Sequence, residues 1–232
     1  MRVTAGMRDL SSLYVRANTC VACHQNIGEE FLKAGHPTMV FELDSQSIDE
    51  PKHWDDGDSR IGARSWLTGQ AVALRETAWR SRTDPDPAPD MQETSLALAW
   101  LLEKVTAADP TLPKISEPNS SDLGPLEKQA DDLAQNAARW SAGADSIMSM
   151  LRTLAATDPE FVKTAASRRA LFYRARRLVL ALDRLSVAMN QSNPGRLAIE
   201  KDLKLLREDL RGYDSFDPAS FAGHLRAFRS KL

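Results

Sequence analysis

Cysteine, charge of one sign and long apolar runs are what this chain has little of. Two cysteines in 232 residues rule out a fold stapled by disulfides. Thirty Lys and Arg against 32 Asp and Glu give a formal net charge of −2, so no charge excess argues for nucleic acid or an anionic membrane as partner. No apolar run approaches the roughly 20 residues of a membrane-spanning helix. Met1 to Leu10 also lacks the apolar core of a signal peptide. The sequence contains no G-x-S-x-G, P-loop, H-E-x-x-H or G-x-G-x-x-G, which removes support for hydrolase, nucleotide and dinucleotide chemistry. A non-enzymatic role fits better than an enzymatic one.

What is present is concentrated. Both cysteines fall in Cys20-Val-Ala-Cys23-His24. That C-x-x-C-H arrangement suits covalent haem attachment: two thiols can form thioethers to the two porphyrin vinyls while the adjacent imidazole reaches the iron. Cys20 and Cys23 are therefore the expected anchors of one haem c, and His24 its proximal ligand. Two other chemistries use the same residues. One is a zinc clip completed by two histidines in a helical interaction scaffold; the other is a redox-active dithiol. Haem c is ordinarily attached outside the bacterial cytoplasm, so the haem reading predicts a periplasmic protein and expects an export leader ahead of Met1.

For the second axial position the candidates are His36, His53 and Met39, or an open site that would make the protein a haem sensor. A continuous helix from residue 24 to 36 would separate His24 and His36 by roughly 18 Å, but Gly35 and Pro37 permit a bend. Trp54, beside His53, is placed to stack on a porphyrin. Three of the four histidines lie before residue 60, which marks 1–107 as a haem module with long loops, a short helix over Ile27 to Ala34 and an extended segment over Met39 to Leu43.

From Ile61 onward the spacing is helical. Leu67, Ala71, Leu74 and Ala78 form one stripe, and Leu98, Leu102 and Val105 another; both belong to helices bracing the haem module. Residues 108–122 hold Pro110, Pro113 and Pro118 and read as an exposed linker. In 123–232, Leu126, Ala130, Leu133, Ala137 and Trp140 mark a helix to about Ser141, and a short one comes next around Ile147 to Leu154. Asp158-Pro159-Glu160 has the chemistry of a helix start, predicting one helix to about Asn190 with Leu171, Ala175, Leu178, Leu182, Leu185 and Met189 as its seam. Ile199, Leu203, Leu206 and Leu210 pair with it as an antiparallel hairpin, and Asp217-Pro218 caps a last helix bearing Phe221, Leu225 and Phe228. Arg168, Arg169, Arg174, Arg176 and Arg177 read as a solvated face, the alternative being a docking patch for an acidic partner. His224 reads as surface or half-buried.

Several of these elements also carry a resemblance. Arg8-Asp9-Leu10, Tyr14-Val-Arg-Ala-Asn18, Cys20 to His24, Ala34-Gly35-His36-Pro37, Phe41-Glu42-Leu43, Pro51-Lys-His53-Trp54 and Trp66-Leu-Thr-Gly69-Gln70 occur in an order that resembles bacterial multihaem c-type cytochromes related to the tetrahaem nitrification carrier. The resemblance covers residues 6 to 75. It implies a periplasmic electron carrier in which Cys20 and Cys23 bind haem, His24 ligates it and His36 ligates iron in a haem cluster. Members of that family carry several more C-x-x-C-H motifs, mostly upstream, whereas this chain has one. His36 is then expected to serve either this haem or one held by another subunit. The combined expectation is an all-α protein: a small N-terminal haem c module followed by a C-terminal antiparallel helical bundle.

Overall fold

The computed structural model describes residues 6–25, 29–36, 40–43, 61–84, 89–118, 122–192 and 195–232. These residues are all-helical, with no strand among them. Ser12 accepts a hydrogen bond from the Val15 amide and opens α1 (Leu13–His24), which buries Leu13, Arg16, Ala17 and Val21. A single turn, α2 (Glu29–Lys33), stops before Gly35, whose φ of 96° is a left-handed conformation that glycine adopts without a side-chain clash.

The centre of the molecule is α3 (Ile61–Thr83), against which α1, α4 (Pro89–Ala108), α5 (Gly124–Ala137) and α7 (Arg168–Ser192) all pack. Its expected stripe, Leu67, Ala71, Leu74 and Ala78, is fully buried, as are Leu98, Leu102 and Val105 of α4. Pro89 and Asp90 suit the first turn of α4, where a missing N–H is harmless and a negative charge meets the positive end of the dipole. Among the described residues no helix is long and apolar enough to cross a membrane.

The described part of the expected exposed linker 108–122, residues 108–118 and 122, forms a packed corner. Leu112 and Ile115 are buried. The Ile115 amide donates to Thr106 Oγ1 at 3.2 Å, and Lys114 Nζ donates to the Thr106 carbonyl at 2.6 Å. Asp109 accepts from the Thr111 amide at 2.9 Å and from the Trp140 indole at 3.0 Å. Burial works to raise the Asp109 carboxyl, but the Thr111 and Trp140 hydrogen bonds outweigh it and hold the group below the usual carboxylate range. One continuous cluster of buried side chains runs from Ala17 to Phe228 across this corner. The prolines end helices without detaching the next segment, because two apolar side chains between them gain more by burial than by exposure.

The remaining helices are α6 (Ala144–Ala155), α8 (Glu200–Glu208) and α9 (Pro218–Arg229). α5 ends at Ala137, short of the expected Ser141. The Asp158-Pro159 signal does not open the long helix. It opens a 3-10 turn over Asp158–Phe161, and α7 begins at Arg168, where Ser167 Oγ accepts from the Ala170 amide. The reason is tertiary. Asp158 accepts hydrogen bonds from Arg226 at 3.1 Å and Arg229 at 2.5 Å, and the Phe161 ring centroid lies 4.7 Å from that of Phe221. Both contacts hold the turn against α9.

The expected seam of α7, Leu171 to Met189, is buried throughout, and Ile199, Leu203 and Leu206 are buried with it. Asp217 caps α9 through the Ala219 amide, and the helix buries Phe221, Leu225 and Phe228. His224 is half-buried, its Nδ1 2.7 Å from Asp209 Oδ2.

The arginine group of α7 is not simply a solvated face. Arg168 donates to the carbonyls of Phe216, Tyr213 and Asp214. Arg169 pairs with Asp90, and Arg174 pairs with Glu117 while lying over the Trp100 ring. Arg177 is 6% exposed. Arg168, Arg169 and Arg174 thus reach neighbouring elements and tie α7 to them, while Arg176 lies over the Phe172 and Tyr173 rings of α7 itself.

Candidate functional site

Cys20, Cys23 and His24 occupy the last turn and a half of α1. Spacings of three and four residues bring them to one side of the helix. Cys20 is half-buried against the core, Cys23 is exposed and His24 is half-buried. Both cysteines are free thiols. Burial raises the Cys20 thiol above its ordinary range, with Arg16 acting in the opposite sense. A redox-active dithiol needs the reverse, a thiolate stabilised at a helix N-terminus. Here the pair sits at the negative end of the helix dipole, which works against that chemistry. For haem attachment the donor set fits: two uncombined thiols and an imidazole on one face, one thiol open to the surface.

His36 is exposed, on the turn after α2. Among the described residues no group of three or more His, Cys, Asp or Glu is arranged to hold a metal ion, so His36 is not gathered with Cys20, Cys23 and His24 into a ligand cage. Met39, His53 and Trp54 lie outside the described residues.

Four side chains, Tyr14, Asn18, Arg75 and Asp131, fix the bearing helix in place. Asn18 donates to the Tyr14 carbonyl at 2.7 Å and accepts from Arg75 of α3. Arg75 reaches Asp131 of α5 at 2.6 Å, and the Tyr14 hydroxyl donates to the same carboxylate at 2.7 Å. Burial pushes Asp131 upward, yet Tyr14, Arg75 and Gln135 together hold it below the ordinary range. The resemblance marks Tyr14 and Asn18; Arg75 and Asp131 carry no local signal, since a polar residue off a helical seam looks the same whether or not it meets a partner.

No protein-family model, curated protein or solved structure matches the chain.

Two other segments of the resemblance, Phe41–Leu43 and Trp66–Gln70, lie against one another. Phe41 and Trp66 are fully buried, and Gln70 Nε2 approaches the Phe41 carbonyl at 3.4 Å. The expected extended run over Met39 to Leu43 forms no strand in its described part, residues 40–43, because it is held by side chains rather than by a ladder. Gly69 makes the approach possible: a Cβ there would lie 2.8 Å from Leu43 Cβ and 3.0 Å from the Leu43 nitrogen. Gly69→Ala should therefore destabilise by up to about 2 kcal/mol, an overpacking cost of about 1–3 kcal/mol less the ~1 kcal/mol that alanine gains over glycine in a helix. Urea unfolding reads it directly. A variant at least as stable as the parent would mean that residues 40–43 do not press on α3.

Glu42, between them, pairs with Arg184 of α7 at 3.1 Å, with both side chains under 10% exposed. Arg184 also lies 3.7 Å from Asp183, which pairs with Arg207 at 2.6 Å. Glu42, Arg184 and Asp183 form a buried charge cluster that ties residues 40–43 to α7, with the half-exposed Arg207 at its edge.

Proposed function

We propose that the chain is a periplasmic c-type cytochrome that carries one electron at a time between protein redox partners through a single covalent haem. The observation that carries this reading is the placement of Cys20, Cys23 and His24 on one face of α1 with both thiols uncombined. Cys20 and Cys23 would each add S–H across one vinyl group, sulfur to one carbon and hydrogen to the other, leaving two thioethers. His24 would offer its imidazole to the iron. Haem bound there supplies a one-electron ferric/ferrous couple, whose potential depends on axial ligand identity and on burial.

The chain's own residues supply position and exclusion of water. Asn18, Arg75 and Asp131 hold α1 in place, so the half-buried Cys20 would set one thioether against the core. The exposed Cys23 would leave the second thioether at the surface, within reach of an electron donor or acceptor, among them other haem-bearing subunits. His36, the ligand that the resemblance implies, would serve either this iron or one in such a subunit. The helices after the packed corner would act as an antiparallel bundle that gives the haem module a stiff base.

The test is a pyridine haemochrome spectrum of protein matured in an export-competent host. One haem c per chain is expected, with reduced spectra unchanged by carbon monoxide if both axial positions are filled. A carbon monoxide shift turns the reading to an open-site sensor. A colourless product whose two thiols both alkylate removes the cytochrome altogether and leaves the zinc-clipped scaffold.

A further inference from the structure

A cleft of about 330 Å³ opens at the start of α1, lined by Ser11, Ser12, Tyr14, Arg64, Gln135 and Arg139. Arg64 comes from α3 and Arg139 from the residues just after α5. Among the described residues neither guanidinium has a hydrogen-bond or ion-pair partner, and the Arg64 Nε is buried without an acceptor. Arg75, Arg82, Arg174 and Arg184 each sit on a carboxylate, whereas Arg177, like Arg64, buries a guanidinium nitrogen with no acceptor. A buried donor with no partner is costly unless something supplies one.

The rest of the lining leaves the two cations uncompensated. Asp131 is reached only through Tyr14 and Gln135, which donate to it at 2.7 and 2.8 Å, and its charge is met by Arg75. Ser11 donates its hydroxyl to Asp9 at 2.6 Å. Ser12 Oγ accepts from the Val15 amide, so its own proton remains available. The side-chain donors left are therefore two guanidinium forks, the Ser12 hydroxyl and the second N–H of Gln135, which together carry two positive charges.

We propose that this cleft binds the phosphoryl group of a small phosphomonoester. A dianionic tetrahedral oxyanion matches two guanidinium forks in both charge and hydrogen-bond geometry. The cleft is larger than a phosphate group alone, which leaves room for an organic substituent.

Titration calorimetry of the intact chain in a phosphate-free buffer tests this, with inorganic phosphate, phenyl phosphate and acetate as probes. Both phosphates should bind one per chain, phenyl phosphate the tighter, and acetate at least about tenfold more weakly. Arg64→Gln and Arg139→Gln should each weaken phosphate binding by about tenfold or more, the scale of a lost charge-assisted pair. Arg211→Gln, on an exposed residue elsewhere, should leave it unchanged. Arg139 is exposed, so its substitution keeps the test valid should Arg64→Gln fail to fold, which circular dichroism would reveal. No saturable phosphate binding, exclusion of phenyl phosphate, or equal weakening in Arg211→Gln would overturn the assignment.

Discussion

Glu42→Ala should lose about 3–5 kcal/mol of unfolding free energy, the range found when one partner of a buried ion pair is removed. Arg184 would keep only Asp183, at 3.7 Å and shared with Arg207. Arg177 stands in the same field. Burial pushes its guanidinium down to about 10, and the Glu42 carboxylate acts in the opposite direction. It stays charged at neutral pH, so the fold carries the expense of a desolvated cation, and Glu42 offsets part of it. Because whole domains are stable by only about 5–15 kcal/mol, the urea midpoint should fall sharply. Glu42→Gln should lose less, since an amide oxygen can still accept from Arg184. Glu42→Leu with Arg184→Met should recover part of the loss, because it removes the charge stranded on Arg184, while Arg177 still lacks the carboxylate that offsets its burial. A loss below ~1 kcal/mol for Glu42→Ala would show that solvent reaches the cluster and that Phe41–Leu43 does not seal it.

That cluster also marks where a sequence stops being informative. Apolar spacing locates every long helix, because a seam such as Leu171 to Met189 repeats every three or four residues whatever the seam packs against. Polar positions hold no comparable record. Glu42 and Arg184 are 142 positions apart, and nothing local distinguishes Arg184 from a solvated arginine. One trace exists: Arg177 and Arg184 are a heptad apart and adjoin Leu178 and Leu185, so they flank the seam rather than oppose it. The corner at 108–122 departs from its linker-like composition for a related reason. Three prolines dominate that composition, while Leu112 and Ile115, spaced by three and both buried, are the quieter signal. Asp158-Pro159 has the local chemistry of a helix start, and the pull of Arg226, Arg229 and Phe221 overrides it. At the candidate site the C-x-x-C-H motif is plain in the sequence. Its position at the C-terminal end of a helix is not, and that position is what argues against a dithiol.

Replacing both thiols should separate attachment from folding. In an export-competent host that attaches haem c, Cys20→Ser with Cys23→Ser should abolish haem-dependent staining on a denaturing gel, where the parent chain should carry one haem through denaturation. The loss should be complete because no other cysteine exists to form a thioether. Either single variant keeps one thioether and should retain stain, with a haemochrome band displaced by the vinyl group left unsaturated. Their stabilities should differ. Cys23 is exposed, and its change to serine should stay within about 0.5 kcal/mol. Cys20 packs on the core, and a hydroxyl there should cost about 1 kcal/mol or more, since it exchanges a weakly polar thiol for a group that needs a partner. His24→Ala should keep the covalent stain while changing the absorption of the native protein, because the imidazole contributes coordination and not attachment. Stain surviving in the double variant would put the haem elsewhere. An unstained parent chain, together with a well-folded double variant, would return the motif to the role of a helix end.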